Sequence, residues 1–440
     1  MPQAAPYPKN DPRELTAWCL YDWAHSVYSL VLATAIFPIY FLAVVPDRVA
    51  LPWGGTLDNV TLRSLATSVA FLLIAVLAPL LGGISDTRGW KKRFLAVACF
   101  LGSACCVGLY WFTRDTLWLG TALFVGATLG YALGETFYNS FLPDIATPDR
   151  YDRVSARGFS LGYVGSVLQL VAALVLVEQH TWFGLAEGQA IRLSFVFTGV
   201  WWAFFGWYVL SVLRQRPPVE HQRGTGSLLT RGFRELWDCT RTLMRVPVLW
   251  RFLATFLLYN MAIQTVMYVA TDFGVKELHL ETGALIQILL IIQLVAIPGA
   301  YFFAWYSRTR GNIRALILLM VIWIGICTAA YFTRSALQFN ILAMVVGLVM
   351  GGVQSTSRAT YTKLLPADHA GNAAMFGFYN VLDKIAIVLG TATFGVANEL
   401  LGSMRPSILF LITWLVLALV ALVWVPWRKL TAGYMLESRI

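Results

Sequence analysis

"WCLYDWAHSVYSLVLATAIFPIYF", residues 18–41, decides the fold class. As a helix it is long and apolar enough to cross a hydrocarbon core of ~30 Å, which takes roughly 20 residues. Yet it carries Asp22 and His25 inside it. Eleven further runs of similar character follow, and the twelve occupy approximately 18–45, 61–84, 94–112, 116–142, 155–177, 192–213, 249–273, 282–306, 313–332, 337–362, 372–400 and 405–425. Of the 440 residues 58% are hydrophobic and 13% charged, about half the charged share of a soluble domain. Only closed helices or barrels satisfy their backbone in lipid, and runs this long are helices. The chain reads as an all-α polytopic membrane protein.

The net charge of +10 would point to nucleic acid in a soluble protein. Here it reports orientation, and no nucleic-acid partner is expected. Short loops alternate between the two faces of the membrane. Of the 33 Lys and Arg, 25 fall on the face of the N-terminus and 7 on the opposite face, with Lys384 inside a span. The positive-inside rule then predicts both termini in the cytoplasm, in a bacterial inner (plasma) membrane. "MPQAAPYPKNDPRE" (1–14) lacks the charged start and short apolar core of a signal peptide, so the first helix is expected to serve as an uncleaved insertion signal. The six cysteines read as packing residues rather than a disulfide framework.

The sixth and seventh spans are separated by "RQRPPVEHQRGTGSLLTRGFRELWDCTRTLMRVP" (214–247), first linker-like, then periodic. Leu229, Phe233, Leu236, Thr240 and Leu243 recur at helical spacing, which predicts an amphipathic helix on the inner leaflet. The chain thus divides into an N-terminal six-helix half (1–213), a cytoplasmic linker (214–248) and a C-terminal six-helix half (249–440). The halves repeat each other weakly: "DTRGWKKR" matches "RTRGNIRA" so that Arg88–Gly89 aligns with Arg310–Gly311, and "LYDWAHS" matches "LYNMAIQ". Two homologous halves are the parallel-repeat plan of secondary transporters, in which solute binds between the halves near the membrane midplane.

"GGISDTRGWKK" (82–92) resembles the signature between the second and third helices of the major facilitator superfamily. Gly82, Ser85, Asp86, Arg88, Gly89 and Lys91 fit it, while Thr87 and Trp90 depart from it. The resemblance implies the major facilitator fold of twelve helices in two pseudo-symmetric halves. It also implies a cytoplasmic gate formed by Gly82, Asp86, Arg88 and Gly89. Physically, Asp86 can meet the positive N-terminus of a neighbouring helix. The second copy has Arg308 in place of Asp86 and cannot make that contact. Residues 138–170, "GGVQSTSRATYTKLLP" (351–366) and "FGFYNVLDK" (376–384) are similar to the vacuole-effluxer branch of the superfamily, which implies transport of amino acids. Relatives tend to carry Asp–Gly where this chain has Asn260–Met261.

A charge at mid-bilayer costs at least ~2.5–3.5 kcal/mol, so each charged residue inside a span is a candidate site residue. Asp22, His25, Glu135 and Asp383 are candidates for coupling to a proton. Asn139, Asn260, Gln264, Gln354 and Lys384 are candidates for lining the solute cavity. At 1.5 Å per residue, Asp22 and Glu135 lie at one depth and are expected to share a cavity wall. The repeat sets Asp22 on Asn260 and Glu135 on Gln354, which assigns proton handling to the N-terminal half. Asp383 and Lys384 are helix neighbours and do not face each other, so at least one is expected to find a partner elsewhere. A zwitterionic solute would suit a site offering both signs.

The function read from these features is alternating-access transport of a small polar solute, with amino acids as the candidates, coupled to H+. The expected partners are that solute, the proton and the lipid bilayer, and the expected state is a monomer. Two alternatives stand beside it: an integral-membrane enzyme or lipid-handling protein acting on a lipid-linked substrate, and a transport-dead receptor or scaffold. The loops carry no paired His, no metal-ligand spacing and no nucleotide-binding Gly loop, so no enzyme activity, metal or cofactor is expected.

Overall fold

A computed structural model describes residues 8–50, 54–215, 237, 240–280, 282–365 and 372–424. Twelve helices within them are long and apolar enough to cross a membrane. They are α1 (Pro12–Val44), α2 (Thr61–Arg88), α3 (Lys91–Trp111), α4 (Arg114–Ile145), α5 (Tyr151–Glu178) and α6 (Glu187–Val212), then α7 (Pro247–Ala270), α8 (Ala284–Arg310), α9 (Asn312–Phe332), α10 (Ala336–Leu364), α11 (Asn372–Leu401) and α12 (Met404–Trp424). Leu229, Phe233 and Leu236 of the expected amphipathic helix lie outside the described residues. Thr240 and Leu243 are described and helical.

Local signals set several of the helix ends. Asp11 accepts from the Arg13 backbone at 2.9 Å, and a proline occupies the first turn of α1. Gly89 ends α2 at φ 65°, a left-handed conformation that favours glycine. The middle of α1, Tyr28–Ile36, is wound as a π-helix. A short hairpin follows it, with β1 (Arg48–Ala50) antiparallel to β2 (Thr56–Asp58) and Arg48 opposite Asp58.

The buried side chains fall into two main clusters. One is drawn almost wholly from residues 15–213 and the other almost wholly from 243–422. Lipid-facing sides stay apolar, as at Leu72 and Val76 on α2 and Phe204 and Trp207 on α6. Between the clusters, α5 packs on α8 and α10, and α11 packs on α2 and α4. The α2–α11 crossing is close because both helices present glycine: a Cβ on Gly82 would stand 2.7 Å from the Ala374 backbone. Odd-numbered helices start, and even-numbered ones finish, at the end rich in Lys and Arg, called here the basic end.

Candidate functional site

Charged and amide side chains from both halves meet in two layers. The deeper layer joins α4, α7 and α11. Glu135 lies ten residues from the end of α4, about 15 Å in at 1.5 Å per residue. One of its carboxylate oxygens makes no hydrogen bond and sits 3.8 Å from Lys384 Nζ. Lys384 Nζ also donates to Asp383 Oδ2 at 2.7 Å. The other Asp383 oxygen accepts from Asn260 Nδ2 at 2.6 Å and Gln264 Nε2 at 2.9 Å. Two acids, one cation and two amides thus form one chain across the halves. The three charged side chains keep 29%, 12% and 17% exposure for Glu135, Lys384 and Asp383, so the cluster borders open space. Asp383 and Lys384 do meet, contrary to the expectation from helix spacing: Nζ swings back on its four-carbon stem. Each also finds its partner on another helix.

The layer nearer the basic end is sealed. Asp22 is 3% exposed and is held by Arg358 of α10, whose Nη1 and Nη2 both lie 3.2 Å from Asp22 Oδ2. Tyr138 Oη donates to the same oxygen at 2.8 Å. Arg358 also donates to Asn139 Oδ1 at 3.2 Å and to the Ser155 carbonyl at 2.9 Å. Gly158 makes room, since a Cβ there would stand 2.5 Å from Asp22 Oδ2. A carboxylate in lipid is tolerable when paired and hydrogen-bonded, and Arg358 supplies that. Asp22 therefore does not share an open wall with Glu135 as the common depth suggested; a cation that the sequence places among the basic-face charges, near the end of the tenth span, shields it.

Further contacts close the basic end. Asp86 accepts from the backbone N–H groups of Ala373 (3.2 Å) and Ala374 (3.0 Å), at the first turn of α11. Such a carboxylate complements the positive end of the helix. Lys91 lies 2.8 Å from Asp144 and 3.9 Å from Asp86. The second loop is met with reversed polarity. Asp152, at the start of α5, accepts from Asn312 Nδ2 at 2.8 Å and Ser307 Oγ at 3.3 Å, and pairs with Lys363. Asn380 Nδ2 donates to the Ala132 carbonyl at 2.6 Å and Thr136 Oγ1 at 2.8 Å. Tyr163 donates to Gln354 at 2.5 Å.

The other candidates fall apart from these clusters. His25 is 3% exposed, neither ring nitrogen has a partner, and it stacks on Tyr131 at 4.5 Å. Arg88 is exposed and lies over the Trp90 ring at 5.6 Å. Arg358 and Asp152 escaped the sequence reading. A signal for Arg358 existed: the shift that sets Glu135 on Gln354 sets Asn139 on Arg358.

Twelve spanning helices in two packed groups, with charged side chains meeting between them, define a transporter of the major facilitator class, not an enzyme. Solved structures share the fold. The human organic anion transporter MFSD10 (TETRAN) matches with a TM-score of 0.71 at 12% identity, covering 94% of this chain and all of that one. The chain belongs to the vacuole effluxer Atg22-like family, which it matches over residues 10–432. It is 29% identical to the "Uncharacterized MFS-type transporter YxiO" of Bacillus subtilis, over 95% of this chain and 96% of that protein. It is 24% identical to Autophagy-related protein 22 of Neurospora crassa, over 92% and 70%.

Proposed function

We propose that the protein carries a small zwitterionic solute of the amino-acid type across a bacterial inner membrane by alternating access, coupled to a proton at Glu135. The observation that carries this reading is the chain Glu135–Lys384–Asp383. It offers both signs to one solute, spans the two halves and borders open space. A solute carboxylate would compete with Glu135 for Lys384, and its ammonium would face the acids. Protonation of Glu135 would free Lys384 for the solute, linking the two bindings. The halves are the transport units, joined by the segment 214–248, and the basic end faces the cytoplasm with both termini. In this arrangement the Arg358 layer shuts the cytoplasmic side, so the site opens to the other side. The molecule works as a monomer, because each monomer contains a whole site.

The test uses proteoliposomes and an amino acid chosen by thermal-shift screening of the purified protein. Glu135→Gln removes the exchangeable proton while keeping size. The expected result is loss of pH-gradient-driven flux with solute counterflow retained, because exchange needs no net proton release. Full gradient-driven flux by this variant would refute proton coupling at Glu135.

A further inference from the structure

We propose that the pocket holding Arg358 is a binding site for a small free guanidinium cation, occupied by the protein's own arginine when the basic end is closed. The inference rests on alternating access at that end. The guanidinium of Arg358 is a C-terminal-half group whose side-chain partners all belong to the N-terminal half. Its five N–H donors meet Asp22 Oδ2, Asn139 Oδ1, Ser155 Oγ and the Ser155 carbonyl. Its carbon lies 4.8 Å from the Trp18 ring centre, 5.6 Å from Tyr138 and 4.0 Å from Phe159. When the halves part at the basic end, α10 withdraws and takes the arginine with it.

Two of the walls left behind, Trp18 and Tyr138, are held by contacts that do not involve Arg358. Trp18 Nε1 donates to the Tyr138 carbonyl at 2.9 Å, and the two rings stack at 4.4 Å. Tyr138 Oη fixes Asp22 at 2.8 Å. Opening therefore uncovers an aromatic cage whose Trp18–Tyr138 wall and carboxylate base are already fixed. On opening, Asp22 loses its arginine but stays an ionised acceptor beside aromatic faces, so the cage draws in a cation. A guanidinium suits it better than an ammonium. It is flat and weakly hydrated, it stacks on aromatic faces, and its donors form a fixed fork. A free guanidinium seated there blocks the return of Arg358 and arrests the carrier with the basic end open.

The probe is methylguanidinium chloride, compared with sodium chloride at equal ionic strength. The first readout is thiol labelling of Ser307→Cys in a chain lacking its six native cysteines; Ser307 is 1% exposed, within the closed contact to Asp152. Methylguanidinium is expected to speed labelling saturably, and sodium chloride is not. The second readout is the melting temperature of purified Arg358→Ala. Methylguanidinium should raise it, and adding Asp22→Asn should raise the concentration needed for that response at least about tenfold, the effect of losing one charged hydrogen bond. Unchanged labelling in the Ser307→Cys chain that keeps Arg358 overturns the proposal even where Arg358→Ala fails to fold. Arg358→Ala labelled faster than the parent but blind to methylguanidinium overturns this site and leaves the gate intact. Arg358→Ala labelled no faster than the parent overturns the gate and this inference with it.

Discussion

At the scale of single residues, the Asp22–Arg358 pair combines high cost with high information. Both groups are 3% exposed, so removing one leaves a buried charge without its partner, a loss of about 3–5 kcal/mol. Arg358→Met alone should therefore lower the melting temperature of the purified protein steeply. Asp22→Leu with Arg358→Met should recover most of it, since apolar replacement of a whole buried pair is often neutral. Recovered stability without recovered transport would assign the pair to conformational control. Equal loss in the single and double variants would show that the surrounding hydrogen bonds, not the charges, hold this region. Arg358 was hard to read for a physical reason. It follows Ser355, Thr356 and Ser357 and precedes Lys363, the composition of a basic flank at a helix end. What marks it as interior is that residues 355–362 are all buried, with Thr356 and Ser357 at 1% and Thr360 and Thr362 at 3%. That burial depends on α5 packing against it, which sequence periodicity does not report.

Among elements, the contact between Asp86 and α11 has the simplest energetics. A carboxylate at a helix N-terminus is worth about 0.3–1 kcal/mol, and up to ~2 when partly buried. Asp86→Asn should keep the geometry and lose most of the charge term. Labelling of Ser307→Cys at the basic end should then rise by roughly 2- to 30-fold, the Boltzmann factor of that range at 1.4 kcal/mol per decade. Unchanged labelling with normal folding would remove Asp86 from the gate. Its position was legible because a short motif with Gly82 and Gly89 prescribes a close crossing and a tight turn. Its counterpart was not, because the second loop gives Arg308 at the matching position and takes its acid, Asp152, from the other half.

On the scale of the whole molecule, the twelve spans follow from apolar length alone, and their structural limits fall within two residues of the sequence reading at most ends and differ by three to six at the others. The deeper polar cluster was legible in membership. Glu135, Asp383, Lys384, Asn260 and Gln264 stand out as polar groups in apolar runs. Their wiring was not legible, since pairing depends on how α4, α7 and α11 converge. The orientation proposed from charge can be checked directly. Cysteines at Gly55, in the hairpin loop, and at Gly224 should react with an impermeant reagent from opposite faces of the membrane. Reaction of both from outside intact cells would overturn this topology.

The π-wound segment of α1 has a consequence for how this helix tolerates change of length. Winding of this kind is what a helix adopts when it accommodates a surplus residue, and here Thr34 Oγ1 reaches back to the Ser29 carbonyl at 2.8 Å. Elsewhere in a spanning helix, deleting one residue turns everything beyond it by about 100° and moves buried faces into lipid. Between Tyr28 and Ile36 a deletion can be absorbed by reverting to ordinary α winding, leaving Asp22 on one side and Phe37 on the other near their present partners. Deletion of Ala33 should yield a monodisperse protein with a cooperative melting transition, whereas deletion of Ala127 in α4 should not. In the language of sequence divergence, the segment is a place where this lineage can gain or lose a residue in mid-membrane and keep its fold.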